Sequence, residues 1–168
     1  MRILARNGGI EGMESAASGP VVQTTAGKIR GFEIDGTKIF LGVPYGAAPV
    51  GPDRFRRPRP PEVWSEIRDA RRFGPAAMQF PEDPSATSLP PETEFSEDCL
   101  TLNVWSPGTS GDRLPVMVWL HGGGYRTGGS GALSYGRSPL FRLYFFHGVE
   151  YQERRGGPAG QAAGCRDG

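Results

Sequence analysis

The feature that most constrains the fold is a short apolar run that ends in three consecutive glycines. Residues 115–120 (PVMVWL) are uncharged and apolar, with β-branched side chains at Val116 and Val118. A run of this kind, bounded by Pro and Gly, is typical of a central strand buried on both faces of a parallel sheet. The sequence HGGG follows at residues 121–124. Because open α/β sheets bind ligands beyond the carboxyl ends of their strands, these glycines are predicted to lie at a functional edge.

The triple glycine suits the binding of a developing negative charge. Glycine adopts positive φ and allows the backbone to come close to a substrate. Backbone N–H groups preorganised toward an oxyanion each contribute about 3 kcal/mol of transition-state stabilisation. A flexible turn and a phosphate-binding loop are the alternative interpretations. The Gly-Lys-Ser/Thr ending of a P-loop and the GxGxxG spacing of a dinucleotide-binding turn are both absent from this stretch.

Patterning along the chain predicts a strand-rich domain. Strands are predicted at residues 21–25, 28–34, 38–43 and 100–105, the first three as an antiparallel meander joined by Ala-Gly and Asp-Gly turns. The proline-rich residues 44–61 are predicted to be a loop. Residues 63–73 are predicted to form a short helix around Trp64 and Ile67. The four arginines of the loop suit a polyanion site, although exposed surface arginines are the favoured interpretation.

Composition narrows the possible partners. The chain has 168 residues, enough for one domain, and its formal net charge of +1 gives no reason to expect a nucleic-acid partner. No apolar run is long enough to span a bilayer, and the N-terminus has no signal-peptide core, so no membrane partner and a cytoplasmic location are predicted. Cys99 and Cys165 form no CxxC, so we predict two reduced thiols, no metal site and no cofactor.

Two segments carry a resemblance to a known family. The sequences EDCLTLNVWSP (97–107) and PVMVWLHGGGY (115–125) resemble the type-B carboxylesterases, which include bacterial para-nitrobenzyl esterases and cholinesterases. Upstream, TTAGKIRGF (24–32), FLGVPYGAAPVGPDRFRRP (40–58) and FGPAAMQ (73–79) resemble the N-terminal strands of that family and the loops after them. The resemblance covers about residues 21–135 in the family's order and spacing.

The resemblance implies an α/β class and a function. It implies the N-terminal part of an α/β-hydrolase fold, incomplete here, in which antiparallel N-terminal strands lead into a mostly parallel central sheet. It also implies a Ser-His-Glu/Asp triad acting on a small-molecule carboxylic ester. Gly123 and Gly124 match the oxyanion-hole glycines, which the HGGG-type loop supplies. His121 is interpreted as a loop-orienting residue rather than the catalytic base.

Three other side chains receive structural interpretations. Cys99 matches a cysteine that secreted relatives pair with an earlier one, and because that earlier position is Ala77 here, no disulfide is expected. Glu97 and Asp98 are interpreted as a turn cap or as partners of a nearby arginine, rather than as catalytic carboxylates.

The catalytic nucleophile, acid and base are not found in this chain. A serine esterase needs a G-x-S-x-G elbow, a histidine base and a carboxylate, and no G-x-S-x-G occurs. The nearest match, ALSYG (132–136), has Ser134 at its centre, but it follows a loop instead of a strand and lies only ten residues after Gly124. Ser130 fails for similar reasons. One alternative is a minimal hydrolase using Ser134 and His147, and another is a non-catalytic binding module of the same fold.

These observations divide the chain into three parts. Residues 1–19 are predicted to be disordered, residues 20–136 form the N-terminal portion of a type-B carboxylesterase domain, and residues 137–168 are a divergent tail, disordered or frameshifted. The tail lacks apolar anchors from residue 150 onward. A truncated esterase inactive on its own is therefore expected, with exposed apolar edge strands and an undetermined oligomeric state.

Overall fold

Short strands build the part of the chain that the structure, a computed structural model, describes: residues 19–79, 89–108, 113–132 and, for the backbone alone, 145–149. Within these ranges there is one short 3-10 helix, Gly51–Asp53, and no α-helix. The strands are β1 (Val21–Gln23), β2 (Lys28–Arg30), β3 (Phe32–Ile34), β4 (Thr37–Pro44), β5 (Arg68–Asp69), β6 (Ala76–Ala77), β7 (Phe95–Ser96), β8 (Thr101–Ser106), β9 (Val116–Leu120) and β10 (Phe145–Val149).

The main sheet has five strands in the order β3-β4-β8-β10-β9. Neighbours from β3 to β10 are antiparallel, whereas β10 and β9 are parallel, with Phe145 opposite Val116 and Val149 opposite Leu120. Antiparallel N-terminal strands therefore lead into a parallel pair, in the predicted order. The last strand in sequence, β10, is inserted between β8 and β9, which requires a crossover connection.

The core lies where β4 and β8 pair. Ile29, Phe40, Val43 and Ala70 form a buried cluster, against which Val22, Trp64, Leu102 and Val104 pack. The register between β4 and β8 shifts between Phe40 and Val43, which marks a β-bulge. Burial of this apolar surface is the main favourable contribution that holds these strands together.

The predicted strand over residues 28–34 is interrupted at Gly31. A Cβ built at Gly31 would lie 2.1 Å from the Ile39 carbonyl oxygen, so only glycine allows the chain to cross there from one sheet to the other. Consequently β2 joins a small sheet in the order β1-β2-β5, and β3 starts the five-stranded sheet. The predicted meander is thus divided between two sheets.

The predicted helix at residues 63–73 is wrong. Residues Arg68–Asp69 instead form β5, parallel to β2. The Ala70 N–H donates to the Arg30 carbonyl, and the Ala70 carbonyl accepts from the Leu41 N–H, each at 2.8 Å. The Trp64 indole also donates to the Lys28 carbonyl at 2.8 Å. Helix propensity is a weak preference, and backbone pairing with two strands overrides it here.

The strand predicted at residues 115–120 is present as β9, but the predicted burial is wrong. All five of its residues are exposed, from 40% at Trp119 to 62% at Leu120. The strand β9 lies at the edge of the described sheet, and among the described residues no helix covers either of its faces. The expected exposure of an apolar edge strand is confirmed.

Several expectations fall outside the described residues. The predicted disorder of residues 1–19, of which 1–18 lie outside the described residues, stays a prediction, as does the nature of the tail. Strand β10 follows the predicted boundary at residue 137 and is paired on both sides. In the ranges given above, no helix has the length and apolar character that crossing a membrane requires.

Candidate functional site

The loop that follows β9 is a tight turn with left-handed backbone at three successive positions. The φ angles are +130° at Gly123, +63° at Gly124 and +58° at Tyr125. The Gly123 carbonyl accepts from the N–H groups of Arg126 (3.1 Å) and Thr127 (3.2 Å), which closes the turn. A Cβ at position 123 would lie 1.6 Å from the Thr127 carbonyl oxygen, so glycine is required there. We call residues 121–128 the glycine loop.

The N–H groups of Gly123 and Gly124 remain available for a ligand. Within the described part of the chain, neither donates a hydrogen bond. At Gly124 no heavy atom lies within 4 Å of the position a Cβ would occupy, so the space in front of it is open. Tyr125, the next residue, is 73% exposed. Successive backbone N–H groups in such a turn can bind an anionic oxygen.

A glutamine distant in sequence holds the end of the glycine loop. Gln79 is buried, and its Nε2 donates to the Gly128 carbonyl at 2.7 Å, while its Oε1 accepts from the Gly128 N–H at 2.8 Å. The same Nε2 donates to the Ala77 carbonyl at 3.1 Å. Gly128 in turn packs on the beginning of the loop. A Cβ at position 128 would lie 2.5 Å from the Gly122 carbonyl oxygen and 2.8 Å from His121 Nδ1.

His121 is the first residue of the glycine loop, and it is buried. Its side chain is 4% exposed, and Nδ1 is 2.8 Å from the Gly122 carbonyl oxygen. Because a carbonyl oxygen only accepts, this contact places a proton on Nδ1. The burial and the local backbone bond favour the loop-orienting interpretation of His121.

A second buried amide supports the chain just after the loop. Asn103 on β8 is fully buried, and its Oδ1 accepts from the Gly42 N–H at 2.9 Å. Its Nδ2 donates to the Ser130 carbonyl at 3.5 Å. Sequence reasoning missed both Asn103 and Gln79. For Asn103 a signal was available, because it is a polar residue at one of the alternating positions of β8 that face inward, with Thr101 at the other.

The structure describes the other predicted catalytic residues only in part. Ser134 lies outside the described residues. His147 is described for its backbone alone, in mid-strand opposite Val104 and Val118 instead of at the carboxyl end of β10. Ser130 is 8% exposed. Among the described residues, no group of three His, Cys, Asp or Glu side chains could hold a metal ion.

Three of the four arginines of the Pro-rich loop have partners within the chain. Arg54 pairs with Glu97, Arg59 pairs with Asp53, and Arg56 Nε donates to the Pro52 carbonyl at 2.7 Å. The interpretation of Glu97 as an arginine partner is therefore confirmed. These pairs leave little reason to assign a polyanion site to the loop.

Cys99 forms no disulfide in the described part of the chain and is fully buried. Ala77, the position at which secreted relatives are expected to carry its partner, is also buried.

Comparison with known proteins identifies the family. The sequence model of the carboxylesterase family matches residues 18–144. The chain belongs to the carboxylesterase family. It is 41% identical over 154 residues to phenmedipham hydrolase of Pseudarthrobacter oxydans, covering 88% of this chain and 30% of that protein. It is also 41% identical over 120 residues to para-nitrobenzyl esterase of Bacillus subtilis, covering 71% of this chain and 24% of that one.

Solved structures agree on the fold. A PNB esterase superposes with a TM-score of 0.73 at 37% identity, covering 81% of this chain and 28% of the esterase. A carboxylesterase of Geobacillus stearothermophilus gives a TM-score of 0.68 at 36% identity, over 80% of this chain and 26% of that one. The predicted fold, an N-terminal part of the α/β-hydrolase fold, is confirmed. The chain spans less than a third of the length of these relatives.

Proposed function

We propose that this carboxylesterase-family chain supplies the oxyanion-hole loop of a serine carboxylesterase. In this proposal the N–H groups of Gly123 and Gly124 stabilise the tetrahedral oxyanion formed when a small carboxylic ester is attacked. The observation that carries the proposal is the glycine loop itself, with positive φ at both glycines, open space at Gly124 and two N–H groups available to a ligand. Relatives whose names describe hydrolases and esterases support the same chemistry.

The proposal assigns no turnover to these 168 residues by themselves. The chemistry requires a nucleophile, a base and an orienting acid, and the G-x-S-x-G elbow does not occur in the sequence. Oxyanion donors act only on an intermediate that a nucleophile has produced. We therefore assign these residues the stabilisation of the oxyanion and not the nucleophilic attack that forms it.

A reducing, cytoplasmic setting is the compartment we infer. Ala77 takes the place where secreted relatives are expected to carry the disulfide partner of Cys99. Disulfides persist in oxidising compartments and are rare in the cytosol.

Two measurements on the full chain test the proposal. The first combines hydrolysis of para-nitrophenyl acetate with labelling by a fluorophosphonate probe, and we expect neither a rate above buffer nor a label. Labelling that vanishes in Ser134→Ala would overturn the absence of turnover and support a minimal hydrolase using Ser134 and His147.

The second measurement tests the oxyanion loop directly. Titration of ¹⁵N-labelled chain with butyrate, a product-like carboxylate, is expected to shift the amide resonances of Gly123 and Gly124. Gly124→Ala should abolish the response, whereas Gly36→Ala is the matched control, because Gly36 also has positive φ (+77°) and open space around its Cβ position. Equal responses in the two variants, or none in the wild type, would overturn the assignment of the oxyanion donors.

A further inference from the structure

We propose that Gln79 is the positioning residue of the glycine loop: its side-chain amide holds Gly128 at both backbone groups and thereby sets the conformation of Gly123 and Gly124. This inference rests on the proposed function, since it names the residue that preorganises the oxyanion donors. Oxyanion stabilisation depends on donors held in place before the reaction, so whatever holds the loop affects the chemistry without touching the substrate.

The contact geometry is specific to a primary amide. Gln79 donates to and accepts from the same residue, Gly128, at 2.7 and 2.8 Å, and its second N–H reaches the Ala77 carbonyl at 3.1 Å. Both of its donor hydrogens and one acceptor position are thus used. A backbone N–H and C=O pair requires a side chain that offers an acceptor and a donor together, and the planar amide of Gln79 offers them on two separate atoms, Oε1 and Nε2. Because Gln79 is buried, the loss of these bonds would leave polar groups unsatisfied.

Gly128 transmits this constraint to the beginning of the glycine loop. A Cβ there would lie 2.5 Å from the Gly122 carbonyl oxygen and 2.8 Å from His121 Nδ1, so the two ends of the loop are in contact. The turn between them is closed by the bonds from Arg126 and Thr127 to the Gly123 carbonyl. With both ends joined, a displacement of Gly128 must change the backbone at residues 122–124.

Gln79 is itself attached to a fixed element. It follows β6, whose two alanines are buried and pair with β7, and the Ala76 N–H donates to the Glu94 carbonyl at 2.9 Å. Ala76 also packs with Leu89 and Ala132, the last of which lies just after the loop. The amide therefore links the loop to a packed part of the protein 49 residues away in sequence.

The variants Gln79→Met and Gln79→Glu separate positioning from simple packing. Methionine keeps the length of the side chain and removes all three bonds. A glutamate carboxylate still accepts from the Gly128 N–H but cannot donate to the Gly128 or Ala77 carbonyls. A protonated carboxyl donates again, and burial raises the pKa of a carboxyl above its usual value of about 4.3, so the contact should return as the pH falls. Gln23→Glu is the matched control, because Gln23 is an exposed glutamine whose side chain donates to the neighbouring Thr24 carbonyl.

The experiment is amide hydrogen exchange and ¹⁵N chemical-shift mapping on the full chain. In Gln79→Met we expect exchange of the Gly128 N–H to accelerate about tenfold, which corresponds to the loss of one to two net hydrogen bonds. The Gly123 and Gly124 resonances should also shift, while the Leu41 and Ala70 amides of the core keep their protection. At neutral pH Gln79→Glu should shift the Gly123 and Gly124 resonances as Gln79→Met does, because both variants lose the bonds to the Gly128 and Ala77 carbonyls. These resonances should return toward wild type in acid, with no such change in Gln23→Glu.

Three outcomes would overturn the inference: Gly123 and Gly124 resonances that do not move when the Gly128 bond is lost, core amides that lose protection to the same extent, or no acid recovery in Gln79→Glu. The butyrate titration distinguishes this failure from failure of the proposed function. If wild type and Gln79→Met bind butyrate equally, the positioning role is wrong and the oxyanion loop stands. If Gln79 controls the loop resonances but wild type binds no butyrate, the positioning role stands and the oxyanion assignment is wrong.

Discussion

Strands β4 and β9 are both mainly apolar, yet they lie in opposite environments. In β4 the residues Ile39, Phe40, Leu41 and Val43 are each at most 8% exposed, and the strand pairs with β3 on one side and β8 on the other. In β9 every residue is at least 40% exposed, and the strand lies at the edge of the described sheet.

The difference between these two strands shows what an apolar run does and does not specify. β-branched and aromatic side chains favour extended backbone in both. Stability arises only where that surface is removed from water, at roughly 25 cal/mol per Å². The glycine loop follows the exposed strand β9 and is tied to the packed region through Gln79. The geometry of the glycine loop is therefore maintained by the buried residues around β6, to which Gln79 is attached, and not by β9.

The largest effect is expected for Phe40→Ala. Phe40 is 4% exposed in the core cluster, and truncation of a buried Phe costs about 3–5 kcal/mol because transfer energy is lost and a cavity remains. Urea denaturation followed by circular dichroism would measure the change in unfolding free energy. Trp119→Ala in β9 is the comparison, with an expected cost below about 1 kcal/mol. Similar losses in both variants would contradict the contrast between the strands.

Asn103→Ala tests the polar interior next to β4. The substitution leaves the Gly42 N–H without its buried acceptor, which should lower the unfolding free energy by about 1–3 kcal/mol. The same denaturation measurement applies. Gln23→Ala also removes a side-chain bond to a backbone carbonyl, but at an exposed position, so its effect should stay within about 0.5 kcal/mol. An Asn103→Ala variant as stable as wild type would show that the hydrogen bond from the Gly42 N–H to Asn103 does not stabilise the fold.

The sharpest matched pair is Val43→Ala and Val118→Ala. Both change the same side chain in a strand, but Val43 is 8% exposed and Val118 is 60% exposed. We expect a cost of about 1.5–2 kcal/mol for Val43→Ala and less than about 0.5 kcal/mol for Val118→Ala. Thermal unfolding of the two variants side by side measures the difference. A cost at Val118 equal to that at Val43 would mean that β9 is covered in solution.

The smallest effect concerns Asp69 of β5, which is exposed. The hydrogen bonds from the Arg71 side chain, at 2.7 and 2.8 Å, lower the pKa of Asp69 despite an opposing contribution from burial. A lowered pKa means that the folded state favours the carboxylate. The stabilisation is therefore present above the unfolded pKa of about 3.9 and is lost as the pH falls through the folded pKa.

Asp69→Asn should accordingly lower the Tm slightly at pH 7, and this difference should shrink as the pH falls below the unfolded pKa of about 3.9. Differential scanning calorimetry across this range measures the effect, and Arg71→Gln should remove the same pH dependence. The effect should be small, because exposed ion pairs contribute little to stability. A Tm difference that persists or grows in acid would show that the pair does not act through charge.

Most of the strands and the site loop could be predicted because their signals are local. Residues 116–120 are extended and Gly123 and Gly124 have positive φ, as their side chains, or the lack of them, require. The helix prediction at residues 63–73 was wrong because the backbone bonds of Ala70 are made with β2 and β4, which local pattern does not reveal. Gln79 was overlooked for a similar reason, since its partner lies 49 residues away.

The sequence by itself determined the family, the extended segments that become β1 to β4, β8 and β9, and the glycine turn after β9. These properties depend on neighbouring residues, because alternation and the steric freedom of glycine act within a few positions of the chain. Only the tertiary structure decided that β10 separates β8 from β9, that β9 is exposed, and that the amides of Gln79 and Asn103 hold the loop and the chain beyond it. Burial and long-range hydrogen bonds depend on which segments of the chain come into contact, and the local sequence of each segment does not specify that contact.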